Sequence, residues 1–235
     1  MQKALPPLIP GTLYLVATPI GNLEDITLRA LRTLRECDAV AAEDTRHTGR
    51  LLAHFDISKP LFSCFRFNEA SRSEEILERL RAGQKIALVT DAGSPGISDP
   101  GERVVRAALG AGLRVEPVPG PSALVAALTA SGLPSGEFHF LGFLPHKAGQ
   151  RRRELERLQG LGGTLVFYES PYRVGKLLAE LNEVFGGRQV VLARELTKKF
   201  EEYWRGTPAE LLARLQQRAP KGEFVVLVAG EAGRP

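Results

Sequence analysis

The sequence predicts an α/β protein of two α/β domains, the first on a mostly parallel sheet and the second on a mixed one. Three observations lead there. Short apolar runs such as Ile86-Ala87-Leu88-Val89 suit strands buried on both faces. They alternate with stretches of helical periodicity, the pattern of βαβ units. Beyond Gly132-Leu133-Pro134 the pattern changes, and Glu201–Arg205 follows Val190–Ala193 closely enough to pair with it as an antiparallel hairpin. The expected division is a mobile arm over 1–10, a first domain over 11–118, a second over 119–230 and a tail over 231–235.

In order, Leu13–Ala17 is an apolar strand, and Asp25 caps a helix with Leu28, Leu31 and Leu34 on one face. Ala39–Ala42 and Leu61–Phe65 are short strands. Ser73 to Arg81 is a helix with a Glu75/Arg79 pair, ended by Gly83. After the strand Lys85–Val89 comes Thr90–Gly101, a Gly/Pro-rich loop leading to a helix. Asp99 is its expected cap, Pro100 its first residue and Glu102 the partner in a capping box. Val115–Val118 is the next strand, and Pro119-Gly120-Pro121-Ser122 opens a helix bearing Leu124, Val125 and Leu128. The second domain reads as strands at Phe138–Phe143, Thr164–Tyr168, Val190–Ala193, Glu201–Arg205 and Phe224–Ala229. Its helices lie near Arg151–Leu161, at Pro171 to Phe185 and at Pro208 to Gln217, the last with a Thr207/Glu210 capping box.

At 235 residues, 43% of them apolar, the chain can build cores of this size. No apolar run approaches a membrane span, and Met1–Pro10 lacks the sustained apolar segment of a secretory signal. Cys37 and Cys64 cannot make a disulfide framework and have no metal-ligand spacing with the four histidines, so no metal is expected. A reducing cytoplasm is the expected home. The net charge of +4 permits a nucleic-acid partner without requiring one.

The chemistry is expected in the loops. Parallel strands point one way, so the segments after Ala17, Ala42 and Val89 gather at one edge of the first sheet, where α/β proteins bind small ligands. Gly21 alone does not make a dinucleotide fingerprint, and no Gly-Lys-Ser/Thr phosphate loop occurs. Ser94, Ser98 and Ser122 lack the Gly-x-Ser-x-Gly elbow of a hydrolase nucleophile. Glycine- and proline-lined loops with few cations suit a cofactor held mainly by backbone groups.

Several segments carry a more specific likeness. They are Thr18-Pro-Ile-Gly-Asn-Leu23, Glu43-Asp-Thr-Arg46, Asp91-Ala-Gly-Ser-Pro-Gly-Ile-Ser-Asp-Pro-Gly101, Pro119-Gly-Pro-Ser-Ala123, Phe167-Tyr-Glu-Ser-Pro-Tyr-Arg173 and Ala193-Arg-Glu-Leu-Thr-Lys-Lys-Phe-Glu-Glu202. Together they resemble the tetrapyrrole-methylase superfamily, and within it the ribosomal RNA small subunit methyltransferase I family. The likeness runs in order from Gly11 to Gly230. It implies two α/β domains of the tetrapyrrole-methylase type with S-adenosylmethionine in the cleft between them. It also implies a homodimer, and 2′-O-methylation of a cytidine in the decoding region of 16S rRNA, reached within the small ribosomal subunit. Tetrapyrrole-acting members resemble Gly-x-Gly-x-Gly-Asp in the first loop. This chain has Ala17-Thr-Pro-Ile-Gly-Asn22 there, which favours the RNA branch. A precorrin-type methyltransferase and a non-catalytic RNA-binding factor are the rival readings.

By that resemblance the cofactor touches Pro19, Gly93, Ser94, Ile97, Ser122, Ala123, Tyr168 and Leu196, with Glu223–Phe224 nearby. A ribose hydroxyl needs a base or a strong hydrogen-bond acceptor. Glu43, Asp44, Glu169 and Lys198 are the candidates; Asp44, paired with Arg46, is preferred, and Asn22 is a candidate for orienting the ribose. Lys147, Arg151, Arg152, Arg153 and Lys198 are the expected RNA contacts, with His146, Arg173 and Lys199 as further candidates.

Overall fold

The computed structural model describes residues 6–217 and 220–231. The 1–5 part of the expected arm and the 232–235 part of the expected tail lie outside the described residues. The chain forms two compact units that divide between Ser122 and Ala123, so the Pro119–Ser122 loop belongs with the first.

The first unit holds β1 (Thr12–Val16), α1 (Leu28–Glu36), β2 (Ala39–Ala42), α2 (Thr45–His54), β3 (Leu61–Ser63), α3 (Glu69–Arg81), β4 (Ile86–Val89), α4 (Glu102–Gly110) and β5 (Arg114–Val118). All neighbouring strands pair in parallel, in the order β3-β2-β4-β1-β5. The side-chain period of two sends alternate residues to opposite faces. Tyr14, Val16, Val40, Ala42, Ala87 and Val89 pack with Ala30 and Leu34 of α1 and Leu51 and Leu52 of α2. Leu13, Ala39, Ala41, Ile86 and Leu88 pack with Ile76 and Leu80 of α3 and Val104 and Ala108 of α4. Helices on both faces are why these strands read as unbroken apolar runs.

Local details correct five expectations. Asp25 does not cap α1: it ends a single 3₁₀ turn at Leu23–Asp25, and the hydroxyl of Thr27 caps α1 by accepting from the Ala30 amide at 3.1 Å. Leu28 is 86% exposed, so the buried stripe of α1 is Ala30, Thr33 and Leu34. α2 was not expected as a helix, and α3 begins at Glu69 rather than Ser73. The capping box on Asp99 is absent as well. α4 starts after Gly101, whose φ of +135° only glycine holds without strain, and its cap comes from α3. There Glu69 Oε1 accepts from the Gly101 amide at 3.0 Å and the Arg103 amide at 3.1 Å.

The second unit holds α5 (Ala123–Ser131), β6 (Phe138–Phe143), α6 (Ala148–Leu158), β7 (Thr164–Glu169), α7 (Val174–Phe185), β8 (Val190–Arg194), β9 (Glu202–Gly206), α8 (Pro208–Gln217) and β10 (Phe224–Val228). Its sheet order is β6-β7-β10-β8-β9. β6 and β7 are parallel; every other neighbouring pair is antiparallel, including the β8–β9 hairpin. One face carries Leu165, Phe167, Val190, Leu192, Val226 and Val228 against α6, α7 and α8. α5 packs against β10 and β8, and Arg205 of β9 donates to the Ser131 carbonyl of α5 at 2.9 Å. The Thr207/Glu210 capping box is present, the Thr207 amide reaching Glu210 Oε2 at 2.7 Å.

Candidate active site

Because the first sheet is wholly parallel, the loops after β1, β2, β3, β4 and β5 leave from one edge. They are stitched together. Thr18 and Gly93 exchange both backbone hydrogen bonds, at 2.9 and 3.0 Å, which ties the first loop to the central one. The Thr18 hydroxyl adds a bond to the Thr90 carbonyl at 3.0 Å. Gly93 has a φ of +83°, and a Cβ there would sit 3.5 Å from Ile20 Cγ2 and 3.8 Å from the Pro121 carbonyl. The backbones of three loops therefore meet at one glycine. The second loop joins by a reciprocal pair: the Asp91 amide donates to Glu43 Oε2, and the Asp44 amide to Asp91 Oδ1, both at 3.2 Å.

This edge brings together Pro19, Gly93, Ser94 and Ile97 from the first and central loops, with Ser122 closing the fifth and Ala123 following it at the start of α5. Pro19 and Gly93 are buried and Ser94 is half-buried, whereas Ile97 is 43% exposed. The Thr90 hydroxyl, buried at the end of β4, has no hydrogen-bond partner among the described residues. Asn22 shapes its own turn, its side chain accepting from the Glu24 amide at 3.1 Å.

The carboxylates here differ in character. Asp44 is the N-cap of α2: Oδ1 accepts from the Arg46 amide at 2.8 Å, and Oδ2 pairs with the Arg46 guanidinium at 2.9 Å. The Arg46 side chain, then the Arg46 amide, hold the Asp44 carboxyl well below the usual carboxylate range. Burial, partly offset by the Asp91 amide, pushes Glu43 up. Burial, then the charges of Glu43 and Asp91, push Asp99 up to about 6.

In the second unit, β6, β7 and β8 end on the edge where β10 begins, as their pairing requires. Tyr168 stacks edge-on with Phe140 and Phe143, at centroid distances of 4.9 and 5.7 Å. Leu196 is buried between Glu195 and Thr197, which hold φ values of +50° and +65°. Lys198 Nζ locks that turn, at 2.9 Å from Glu195 and 2.7 Å from Glu223. Burial opposes its charge, but the bonds to Glu223 and Glu195 outweigh it and raise its pKa, so Lys198 is a poor proton acceptor. Glu169 is buried in an ion pair with Arg173 at 3.3 Å, and Arg173 also donates to the Leu144 and Pro145 carbonyls at 2.8 and 3.2 Å.

The expected basic patch needs correction. Arg151 is only 4% exposed, and its guanidinium is bidentate on Glu180, with Nη1 donating to the His146 carbonyl at 3.1 Å. It is a strut inside the fold and cannot meet RNA. Arg152 is exposed but shared between Glu156 at 3.0 Å and Glu183 at 2.6 Å. Lys147 and Arg153 are exposed, Arg153 bonding the Gly149 carbonyl of its own helix. Sequence reading also missed Glu69, whose tie to α4 shapes the central loop; its only local sign is the Asn68-Glu69 pair opening a polar stretch. Among the described residues, no group of three or more His, Cys, Asp or Glu is placed to hold a metal ion. No helix among them is long and apolar enough to cross a membrane.

Two α/β units, one wholly parallel with its loops laced at one edge, define a methylase-type architecture. Residues 12–212 match the family model of tetrapyrrole (corrin/porphyrin) methylases. Uroporphyrin-III-C-methyltransferase from Thermus thermophilus is similar in fold (TM-score 0.66, 24% identity, 93% of this chain and 94% of that one). So is diphthine synthase (TM-score 0.74, 18% identity, 95% and 91%). In sequence the chain is 53% identical over 223 residues to ribosomal RNA small subunit methyltransferase I of Pseudomonas aeruginosa, covering 94% of this chain and 79% of that one. It is 52% identical over 226 residues to the Xylella fastidiosa protein of the same name, covering 95% and 83%. The chain belongs to the ribosomal RNA small subunit methyltransferase I family of tetrapyrrole methylases.

Proposed function

We propose that the chain is a cytoplasmic, homodimeric S-adenosylmethionine-dependent methyltransferase of 16S rRNA. Its target is the 2′-hydroxyl of a cytidine in the decoding region, within the small ribosomal subunit. The observation that carries this reading is the identity of about half the residues, over nearly the whole chain, with proteins named for small-subunit rRNA methylation. The residues of the first edge fit the donor. Gly93 leaves open a place that a Cβ would fill, and Thr90 offers a buried hydroxyl without a partner among the described residues.

When bound, S-adenosylmethionine supplies a methyl group activated by a sulfonium. Pro19, Gly93 and Ser94 line its place, and the amides of Ser122 and Ala123, at the entry to α5, suit a carboxylate. Ile97 suits apolar contact to the nucleoside, a role that the resemblance also assigns to Tyr168 and Leu196. Displacement at a methyl carbon is in-line, so the chain's main task is alignment of the hydroxyl. Asp44, held ionised by Arg46, accepts the hydrogen bond that orients it.

The test is incubation with labelled methyl donor and small subunits from a strain lacking the activity, followed by mapping of the label. Label on a cytidine ribose is expected; label on a base, on a protein or nowhere overturns the assignment. Asp44→Asn keeps an N-cap oxygen, so the fold and donor affinity should hold while turnover falls by about 100-fold or more. Retained turnover removes Asp44 from the role.

A further inference from the structure

The turn after β3 has no part in the site described above, yet it leaves from the same sheet edge. The Cys64 amide pairs with the Ala42 carbonyl at 2.7 Å, so Phe65-Arg66-Phe67 starts beside the strand end that carries Asp44 and Arg46. Asn68 fixes the turn: its Oδ1 accepts from the Phe65 amide at 2.8 Å, and its Nδ2 donates to Ser63 Oγ at 3.2 Å. The fixed turn holds its rings in the open. Phe67 is 90% exposed, and its one ring contact among the described residues is an edge-on approach to Phe65, at 6.2 Å between centroids. Arg66, exposed between the two rings, makes no hydrogen bond or ion pair among the described residues. Arg46 and Arg50 are two exposed cations on α2, the helix that follows the neighbouring strand β2, Arg46 being paired with Asp44. The nearest acid in sequence, Glu69, is turned away onto the start of α4.

We propose that Phe65-Arg66-Phe67 is a stacking platform for an unpaired base of the RNA substrate, with Arg66 itself and Arg50 of α2 available to the backbone phosphates. An exposed ring and a free guanidinium plane are the groups on which splayed-out bases stack, and neighbouring cations favour a polyanion over an apolar protein surface. The inference rests on the RNA reading above and adds to it the part of the chain that grips the strand outside the reacting nucleotide.

The full chain serves for the test. Trp204 is its one tryptophan and is buried, so Phe67→Trp introduces an exposed reporter that keeps a stacking ring. Protein-free 16S rRNA should quench the new fluorescence, and Phe67→Trp should methylate small subunits with wild-type KM. Phe67→Ala should raise the KM for subunits about 10-fold, with kcat and donor affinity near wild type. An unchanged KM in Phe67→Ala overturns the proposal. Quenching by intact subunits but not by protein-free rRNA assigns the loop to a ribosomal protein and also overturns it. If the wild-type chain methylates no subunit, the functional reading fails, and the quenching result alone decides the platform.

Discussion

Arg151→Ala separates a nucleic-acid contact from an internal strut. In the fold the guanidinium bonds Glu180 Oε1 at 2.7 Å and the Pro145 and His146 carbonyls at 3.2 and 3.1 Å. Removing it leaves the Glu180 carboxylate, with a side chain 17% exposed, without its counter-charge. Breaking such a buried pair costs about 3–5 kcal/mol. Residual solvent contact places Glu180 toward the lower end, and two carbonyls left without their donor add about 1 kcal/mol. The sum is about 4 kcal/mol, or roughly 15–30 °C in the melting of a unit of this size. The assay is thermal unfolding followed by circular dichroism, with the salt dependence of rRNA binding measured well below the transition. Arg151→Met combined with Glu180→Leu should recover most of the loss, because a packed apolar pair carries no stranded charge. The reasoning is refuted if Arg151→Ala melts within about 2 °C of wild type while its rRNA affinity falls.

Two further outcomes follow from the first unit. Glu69→Ala should lower stability by about 1–2 kcal/mol and speed hydrogen exchange at the Gly101 and Arg103 amides, and Glu69→Gln, which keeps an acceptor, should restore most of both. Asp99, at about 6 when folded against about 3.9 unfolded, keeps a proton in the native state that the unfolded chain gives up. It therefore subtracts stability as pH rises from about 4 to 6, and the loss is complete above that range. Asp99→Asn should unfold at higher denaturant than wild type at neutral pH, by about 1 kcal/mol after solvent screening, with no difference near pH 3.5; equal gains at both pH values would exclude the linkage.

Element order and the two kinds of sheet were legible because the strands are short apolar runs and most helices carry a periodic stripe. α2 was not legible. Its first turns, Thr45-Arg-His-Thr-Gly-Arg50, are polar and include a glycine, and its apolar residues Leu51 and Leu52 come only near its end. Only the Asp44 cap marked its start. The opening of α3, Glu69-Ala-Ser-Arg-Ser73, hid for the same reason. The glycine loops were legible as a site because their composition is unusual, but the lacing between them was not, since Thr18 and Gly93 are far apart in sequence. Arg151 shows the same limit. A run of arginines reads as a solvated face, and nothing local marks Glu180, twenty-nine positions on, as the partner that draws one of them inside.

Among the described strands β10 comes last in sequence, yet it lies in the middle of its sheet, between β7 and β8. Until Phe224–Val228 has left the ribosomal tunnel, β7 and β8 lack a shared neighbour and their inner edges stay open. The first unit has all five of its strands in place by Val118. Synthesis therefore delivers a finished first unit well before the second can close, and a nascent chain halted before Phe224 presents two bare strand edges to chaperones and to other chains.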